Sequence, residues 1–340
     1  MPADDNPFEI ALLLYPGVRT AAVYGMIDLF DAANDTALAL NGARTASLRV
    51  SQWRMAEGGT DVVCVADTHG GRANRPVAVV VLPALGALPT HEVAAPFARW
   101  LSERHVDGAT LCSVCAGAFL LAETGLLAGR AVTTHWSFAE TLSRRFPDIR
   151  VEVERMIIDE GDIITAGGIM AWTDLGLCLV DRLLGPAVML ETARFLLVDP
   201  PGREQRYYSS FSPPLGHGDE AILKVQRWLQ SLAEDDDGMR GVTLAAMAET
   251  AGLEERTFLR RFTKATGLKP TEYYQQLRVG KARAMLELTA RNVDQVAWAV
   301  GYEDPAAFRK VFQRVTGLSP RDYRRRFAAG QAAAALSAAG

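Results

Sequence analysis

The chain has 340 residues, of which 49% are hydrophobic and 22% are charged, and its formal net charge at pH 7 is −4. This length and composition are typical of an ordinary globular protein with two domains and a sizeable core. No apolar run approaches the roughly 18 residues of a membrane-spanning helix, which excludes a membrane span, and we expect no membrane partner.

The start of the chain and its cysteines bear on compartment and cofactors. Residues 1–10 are acidic and lack the basic start and apolar core of a secretion signal, so we expect a cytoplasmic protein in a reducing environment. The four cysteines show no metal-ligand spacing with histidine, and we expect neither a metal nor a cofactor. Cys112 and Cys115 have the CxxC spacing of redox motifs. Whether this spacing indicates a redox site depends on where the two residues lie between a strand and a helix.

The net charge hides an asymmetry along the chain. Residues 1–239 carry 19 Lys and Arg against 31 Asp and Glu, a net charge of −12, whereas residues 240–340 carry 17 against 9, a net charge of +8. A basic final segment suggests a polyanionic partner such as nucleic acid, although a solvated basic surface has the same composition.

Apolar runs and helical patterns alternate through the first half of the chain. Strands are predicted at 10–14, 77–82, 109–114, 131–134, 151–153 and 163–165, and helices at 26–38 and 171–184. We expect the turn at 159–162 to join the last two strands. This alternation predicts an α/β domain with a parallel sheet, which we place at residues 8–198.

The second half of the chain begins with a linker. Proline, glycine and serine interrupt the periodicity at 199–214, and an acidic run interrupts it again at 234–238, with one helix between them. We therefore expect a linker at 199–240, an all-α domain at 241–327 and a disordered alanine-rich tail at 328–340.

The all-α domain contains an internal repeat. Residues 243–274, the first repeat, match residues 293–323, the second repeat, at an offset of 49 before a glycine turn and 50 after it. Each repeat has the pattern of a short helix, a turn and a second helix that ends at glycine before a proline. This is the helix-turn-helix arrangement.

Helix caps and amphipathic spacing orient the second helix of each repeat. Asn292 with Gln295 resembles a capping box, and Asp304 before Pro305 marks a helix start. Phe258 and Phe262, with Leu259 beside them, are predicted to point inward, as are Phe308, Val311, Phe312 and Val315. The side chains expected to face outward, and to contact DNA, are Arg256, Thr257, Arg260 and Lys264 in the first repeat and Ala306, Arg309, Lys310 and Gln313 in the second.

Residues 220–327 resemble the AraC/XylS family of transcription regulators. The family's linker-helix pattern R-x3-A-x3-L reads Arg278, Ala282 and Leu286, residues 301–312 follow the pattern of its second helix-turn-helix, and Pro320 with Tyr323 follows its closing motif. Glu254 departs from the serine that many members place at the first recognition helix. The alternative is a helical bundle with a basic surface.

The resemblance implies how DNA is bound. Each repeat would place its second helix in successive major-groove segments of duplex DNA. Arg256, Arg260 and Arg309 would contact guanine, and Ala306 would pack on a thymine methyl group. The lysines at 264, 269 and 310 would meet phosphate.

Residues 111–130, followed by Thr133-Thr-His-Trp136, resemble the ThiJ/PfpI class of glutamine-amidotransferase-like domains. The resemblance implies a flavodoxin-like α/β fold over residues 8–195. It also implies that Cys115 lies on a sharp strand-to-helix turn, where the helix N-terminus favours the thiolate and His135 lies nearby. Cys112 would then lie in the preceding strand, which makes the CxxC spacing incidental.

The acid that enzymes of this class need is missing. Ala22 stands where isonitrile hydratase-like members have aspartate, and the oxyanion loop at 83–86 is altered. We therefore expect a pocket retained for binding, lined by Cys115, Ala116, His135 and Trp136, with Arg19 as a further candidate. Alternatively, His135 and Trp136 only pack under the sheet, as Trp53 and Trp172 are expected to do in the core.

A chain that combines these two domains is similar to the GlxA-like regulators. The two resemblances predict a sequence-specific transcription regulator with a non-catalytic domain that responds to a small-molecule effector. Its expected partners are duplex DNA, the effector, RNA polymerase and a second molecule of the chain in a homodimer. The alternative is an isonitrile hydratase-like or amidase-like enzyme that uses Cys115.

Overall fold

The computed structural model describes residues 7–42, 46–59, 61–70, 75–84, 86–235 and 239–329. The chain divides into two compact units, Met1–Gln205 and Arg206–Gly340. The predicted linker at 199–240 is thus shared between the two units, and most of the predicted tail lies outside the described residues. Among the helices of the described ranges, none combines the length and apolar character needed to cross a membrane.

The first unit is an α/β structure. Its strands are β1 (Phe8–Leu14), β2 (Leu48–Met55), β3 (Val62–Asp67), β4 (Ala78–Val81), β5 (Thr110–Val114), β6 (Ala131–Val132), β7 (Arg150–Val151), β8 (Ile157–Asp159) and β9 (Ile163–Ala166). Its helices are α1 (Thr20–Asn41), α2 (His91–Val106), α3 (Gly117–Ala122), α4 (Ala139–Arg145), α5 (Trp172–Leu184) and α6 (Pro186–Leu196).

A seven-stranded sheet with helices on both faces forms the core of this unit. Its strand order is β3-β2-β1-β4-β5-β9-β8, and the five inner strands are parallel. Within β1, Ile10 and Leu12 pack with α1, α5 and α6, whereas Ala11 and Leu13 pack with α2, α3 and α4. Burial on both faces explains the continuous apolar runs of these strands. The predicted parallel sheet is confirmed.

The two edges of the sheet depart from the prediction. The edge strands β3 and β8 are antiparallel to their neighbours, and β2, β3 and β8 were not predicted. The predicted connection at 159–162 was wrong, because it joins β9 to β8, while β7 pairs with β6 in a separate two-stranded sheet. The carboxylate of Asp159 accepts a hydrogen bond from the Gly161 N–H at 2.8 Å, and Gly161 has a φ of 91°, so the turn is tight enough for a hairpin.

The two tryptophans expected in the core differ in burial. Trp53 of β2 is buried, and its ring centroid lies 5.2 Å from that of Trp100. Trp172 is half-buried, and its ring fills the space beside Gly25, where an added Cβ would come within 2.4 Å of it.

In the described residues of the second unit, all regular secondary structure is helical, and loops connect the helices. Its helices are α7 (Glu220–Glu234), α8 (Leu244–Ala251), α9 (Glu255–Thr266), α10 (Pro270–Leu288), α11 (Val293–Ala299), α12 (Pro305–Thr316) and α13 (Pro320–Phe327). Helices α8 and α9 form the first repeat's helix-turn-helix, and α11 and α12 form the second's. The predicted all-α domain with two such motifs is confirmed in its fold.

Two separate apolar cores share helix α10. Tyr273 and Tyr274, near its start, pack with α7, α8 and α9, while Ala282 and Leu286, further along, pack with α11, α12 and α13. The predicted inward pairs Phe258 with Phe262 and Phe308 with Phe312 are fully buried in these cores. Leu259 was misplaced by the prediction, because it is 37% exposed on the surface of α9.

The helix boundaries follow the predicted caps. Asn292 and Gln295 form the capping box at the start of α11, and the carboxylate of Asp304 accepts hydrogen bonds from two backbone N–H groups of α12. Glu254 makes no side-chain cap at the start of α9. Left-handed glycines end α8, α9 and α12, where a residue without Cβ is favoured.

Replacing a buried phenylalanine of a recognition helix tests this packing. We expect Phe312→Ala to lower the free energy of unfolding of the second unit by about 3–5 kcal/mol, because the side chain is fully buried and leaves a cavity. Leu288→Ala is the control, since Leu288 is 73% exposed. Urea denaturation of both variants measures the effect, and equal losses would contradict the packing described.

Candidate functional sites

Helix α9 presents a basic stripe on the side opposite its buried phenylalanines. Arg256, Arg260 and Lys264 are exposed and spaced four residues apart, so they lie along one face, while Thr257 is half-buried beside them. Among the residues that the structure describes, none forms an ion pair with any of these three cations. They are therefore available to an external anion.

A fourth cation of α9 has a different role. Arg261 donates to Asp219 from Nε at 2.9 Å and from an Nη at 2.6 Å. Asp219 also accepts from the Ile222 N–H as the N-cap of α7, and the bond from Arg261 lowers its pKa. Arg261 thus holds α9 against α7. Sequence reasoning missed it, because the bond links residues 42 positions apart.

The exposed face of α12 differs from that of α9. Ala306, Lys310 and Gln313 are exposed, as predicted. Arg309 is about half exposed, and its guanidinium lies 2.5 Å from a carboxylate oxygen of Asp294 on α11. The repeat offsets place Ala245 and Leu259 at the equivalent positions of the first repeat. This ion pair is therefore a property of the second repeat alone.

Arg278 of the linker-helix pattern fixes the turn of the second repeat. Its Nε donates to the carbonyl of Val300 at 2.5 Å, and its guanidinium lies 3.7 Å from the centroid of the Tyr302 ring. Burial lowers its pKa. An added Cβ at Gly301, whose φ is 85°, would lie 2.1 Å from the carbonyl oxygen of Met239, so this turn requires glycine. Arg278 therefore has a structural role.

Cys115 lies on the sharp turn that the resemblance implied. It connects β5 to α3 with a φ of 55°, which is strained for a residue with a Cβ. Its N–H donates to the carbonyl of Ala166 at 2.8 Å. Gly117 permits the close approach of this turn to β4, because a Cβ there would lie 2.3 Å from the carbonyl oxygen of Val81. Cys112 lies in β5, and both thiols are free.

The thiol of Cys115 is neutral near pH 7. Cys115 and Ala116 have almost no exposed surface, and burial raises the pKa of the Cys115 thiol to about 11, although the N–H groups of Ala116 and His135 act in the opposite direction. The Ala116 N–H at the start of α3 favours the thiolate, in the direction that the resemblance implied, but burial outweighs it. Tyr15, whose pKa is raised by burial and by Cys115, donates to the Leu82 carbonyl at 2.6 Å. Sequence reasoning had not placed it beside the thiol.

His135 contacts Cys115 through its backbone. The imidazole Nδ1 lies 3.2 Å from the N–H of Ser137 and 2.7 Å from its hydroxyl, at the start of a short 3-10 turn. Burial lowers the pKa of His135, which favours the neutral ring. The ring of Trp136 lies 5.3 Å from that of His135, and both are half-buried. Cys115, Ala116 and His135 are thus brought together, with Trp136 at their edge.

Two positions bear on whether Cys115 could act as a nucleophile, namely the acid position on α1 and the loop at 83–86. Ala22 is buried in α1 and Asp28 is exposed on it. Within the described residues, the groups that shift the pKa of Cys115 include no carboxylate. Leu85 of the altered loop lies outside the described residues, and Arg19 is exposed at the N-cap of α1, where its N–H donates to the Pro83 carbonyl at 2.9 Å.

Both units are similar in sequence to known proteins. Residues 10–182 match the DJ-1/PfpI family and residues 247–326 match a helix-turn-helix domain. The HTH-type transcriptional regulator CdhR of Pseudomonas aeruginosa is 29% identical over 226 residues, 66% of each chain. The HTH-type transcriptional regulator GlxA of Rhizobium meliloti is 30% identical over 204 residues, 59% of this chain and 60% of the relative.

An enzyme is also similar over a shorter stretch. The isonitrile hydratase of Pseudomonas putida is 36% identical over 74 residues, which are 22% of this chain and 31% of the enzyme. The alignments with the two regulators span about two-thirds of their length or slightly less.

The raised pKa of Cys115 predicts an unusual pH profile of alkylation. In the full chain, we expect the rate at Cys115, followed by site-resolved mass spectrometry with iodoacetamide, to keep increasing up to about pH 11, because the folded form keeps the thiol protonated below that pH. Free N-acetylcysteine is the control and should level off above its ordinary pKa of about 8.5. A plateau for Cys115 below pH 9 would contradict the burial described.

Proposed function

We propose that this chain, which belongs to the DJ-1/PfpI family through residues 10–182 and carries a helix-turn-helix domain at residues 247–326, is a sequence-specific transcription regulator that binds duplex DNA and responds to a small molecule. The observation that carries the proposal is the duplicated helix-turn-helix on one shared helix, α10, with cations on the outer face of each second helix. The similarity to two HTH-type transcriptional regulators supports it.

The charge of the second unit suits a polyanion. Residues 240–340 have a net charge of +8, and the stripe of Arg256, Arg260 and Lys264 lies opposite the packed core of α9. A major groove about 12 Å wide admits one helix, and a helix anchored by its inner face leaves such a stripe free to enter it. Phosphate contacts would supply affinity, and contacts to base edges would supply specificity.

The two recognition helices present different side chains. At repeat-equivalent positions, Arg256 and Arg260 of α9 correspond to Ala306 and Lys310 of α12. We propose Arg256, Arg260 and Arg309 as readers of guanine and Ala306 as a contact to a thymine methyl group. The two DNA segments bound by one chain would therefore differ in sequence.

The first unit is proposed as the sensor, with a site at Cys115, Ala116, His135 and Trp136. The Cys115 thiol is neutral and, among the described residues, no carboxylate acts on its pKa, which makes it a poor nucleophile. The Nδ1 of His135 already contacts Ser137. These observations support a non-catalytic role. We also propose that the regulator acts in the cytoplasm, with RNA polymerase and a second molecule of the chain as further partners.

An enzyme of the isonitrile hydratase type is the second candidate, favoured by the similarity over 74 residues. Turnover of isonitriles or amides by the full chain, lost in Cys115→Ala, would support the enzyme and contradict a non-catalytic first unit. If the chain is a regulator with a non-catalytic first unit, we expect its turnover to be no higher than that of Cys115→Ala.

Selection from random duplexes tests DNA binding directly. The full chain is incubated with a pool of random-sequence duplexes, the bound fraction is amplified, and the selected duplex is compared with random DNA by gel shift. We expect a clear preference for the selected duplex and an affinity that decreases steeply with salt. A pool that stays random after several rounds, with equal affinity for all duplexes, would contradict the proposal.

Single substitutions separate base readers from phosphate contacts. We expect Arg260→Ala and Arg309→Ala each to weaken binding to the selected duplex by about 1–3 kcal/mol and to relax the preference at one base pair. Lys269→Ala, at the exposed start of α10, should weaken selected and random duplexes alike. Titrations by fluorescence anisotropy measure both, and equal losses on both duplexes for all three variants would show that the readers are misassigned.

The ion pair of the second repeat predicts a separate effect. Asp294→Ala removes a negative charge beside Arg309, so we expect stronger binding to random DNA and a salt dependence steeper by about one phosphate contact. Glu220→Ala is the control, because it also removes an exposed acidic residue from the first turn of a helix. An equal change in both variants would mean that only the net charge matters.

A further inference from the structure

The first unit ends at a polar side chain that is almost completely buried. Gln205 is 2% exposed, and its backbone N–H donates to the Glu154 carbonyl at 2.8 Å. Its Oε1 accepts from the N–H of Trp136 at 2.7 Å, and its Nε2 donates to the Thr134 carbonyl at 2.9 Å and to the Thr133 hydroxyl at 3.2 Å. A buried amide with both ends bonded is costly to displace.

These bonds connect Gln205 to the Cys115 site. The Thr134 hydroxyl donates to the Cys115 carbonyl at 2.8 Å, and the N–H of His135 faces the Cys115 sulfur. Residues 133–136 therefore have Cys115 on one side and Gln205 on the other. Gly167 leaves room for this arrangement, since a Cβ there would lie 2.2 Å from the Gln205 Nε2.

The residues that follow Gln205 are anchored in the second unit. The guanidinium of Arg283, on α10, donates to the Arg206 carbonyl at 2.9 Å and also to the carbonyl of Ser209. Arg283 is 9% exposed and lies over the Tyr323 ring. Thus Gln205, anchored beside the sensor site, and Arg206, anchored to the helix shared by both repeats, are consecutive in the chain.

We propose that Gln205 is a positioning residue that couples the Cys115 site to DNA binding. A ligand that rearranges residues 133–136 would change the bonds of Gln205, and the peptide bond to Arg206 would pass the change to the segment held by Arg283. This inference rests on the proposed function and names the route of its regulation. A coupling of this kind is reciprocal, so DNA binding must also change the Cys115 site.

The reciprocity permits a test without the natural effector. In the full chain, Cys115 reacts with iodoacetamide only when its surroundings open, so its alkylation rate reports the stability of the 133–136 segment. Cys64 is exposed on the edge strand β3 and serves as a reference in the same molecule. Rates at both thiols are measured by mass spectrometry with and without saturating selected duplex.

We expect saturating DNA to slow alkylation of Cys115 about fivefold or more and to leave Cys64 unchanged, because DNA bound to the second unit stabilises α10 and the segment anchored on it. An unchanged or faster rate at Cys115, with the duplex fully bound in a parallel gel shift, overturns the coupling and leaves DNA binding intact. A chain that binds no duplex overturns both the coupling and the proposed function.

Two substitutions break the connection at opposite ends. Gln205→Ala should raise the rate at Cys115 in free protein about fivefold or more, because the Trp136 N–H and the Thr134 carbonyl lose their partner, and it should abolish the effect of DNA. Arg283→Met should leave the free rate near that of the wild type and also abolish the effect of DNA. Thermal denaturation checks that both variants fold. If Gln205→Ala does not fold, the result for Arg283→Met decides the test. A DNA effect that persists in the folded variants overturns the proposal.

Discussion

The burial of helix α10 along two separate stretches is the constraint on which the second unit depends. Its first stretch completes the core of one helix-turn-helix through Tyr273 and Tyr274, and its second completes the other through Ala282 and Leu286. Both repeats thus share one helix to complete their apolar cores. Because both recognition helices pack inward with two phenylalanines, their outer faces are fixed by the core and are free for contacts with a ligand.

In the first unit, burial decides what the cysteine can do. The strained turn and Gly117 place Cys115 at the sharp connection between β5 and α3, and burial raises the pKa of its thiol, which makes ionisation unfavourable. Ala22 stands where the resemblance implies an acid in enzymes of the class, and this is one reason for proposing a non-catalytic role. The same burial makes the loop at 133–136 sensitive to change, since its polar groups depend on a few buried partners.

The sequence permitted accurate prediction where the signal is local. The repeat offsets, the caps at Asn292 and Asp304 and the inner strands other than β2 depend on residues close in sequence, and the structure agrees with them. It did not reveal contacts between distant residues: the pairing of β8 with β9 instead of β7, the bond of Arg261 to Asp219, and the place of Gln205 beside Thr134. Leu259 was misplaced because an apolar side chain suggests burial, although the equivalent Arg309 was predicted to face outward. The raised pKa of Cys115 was not foreseen, because the motif indicates the helix but not the burial.

The central claim is that one chain places two recognition helices in successive major-groove segments on one face of a duplex. Hydroxyl-radical footprinting of the full chain on its selected duplex measures this most directly. We expect two protected windows per strand, centred about one helical turn of 10 base pairs apart and different in sequence. A single window, or two windows on opposite faces of the duplex, would contradict it.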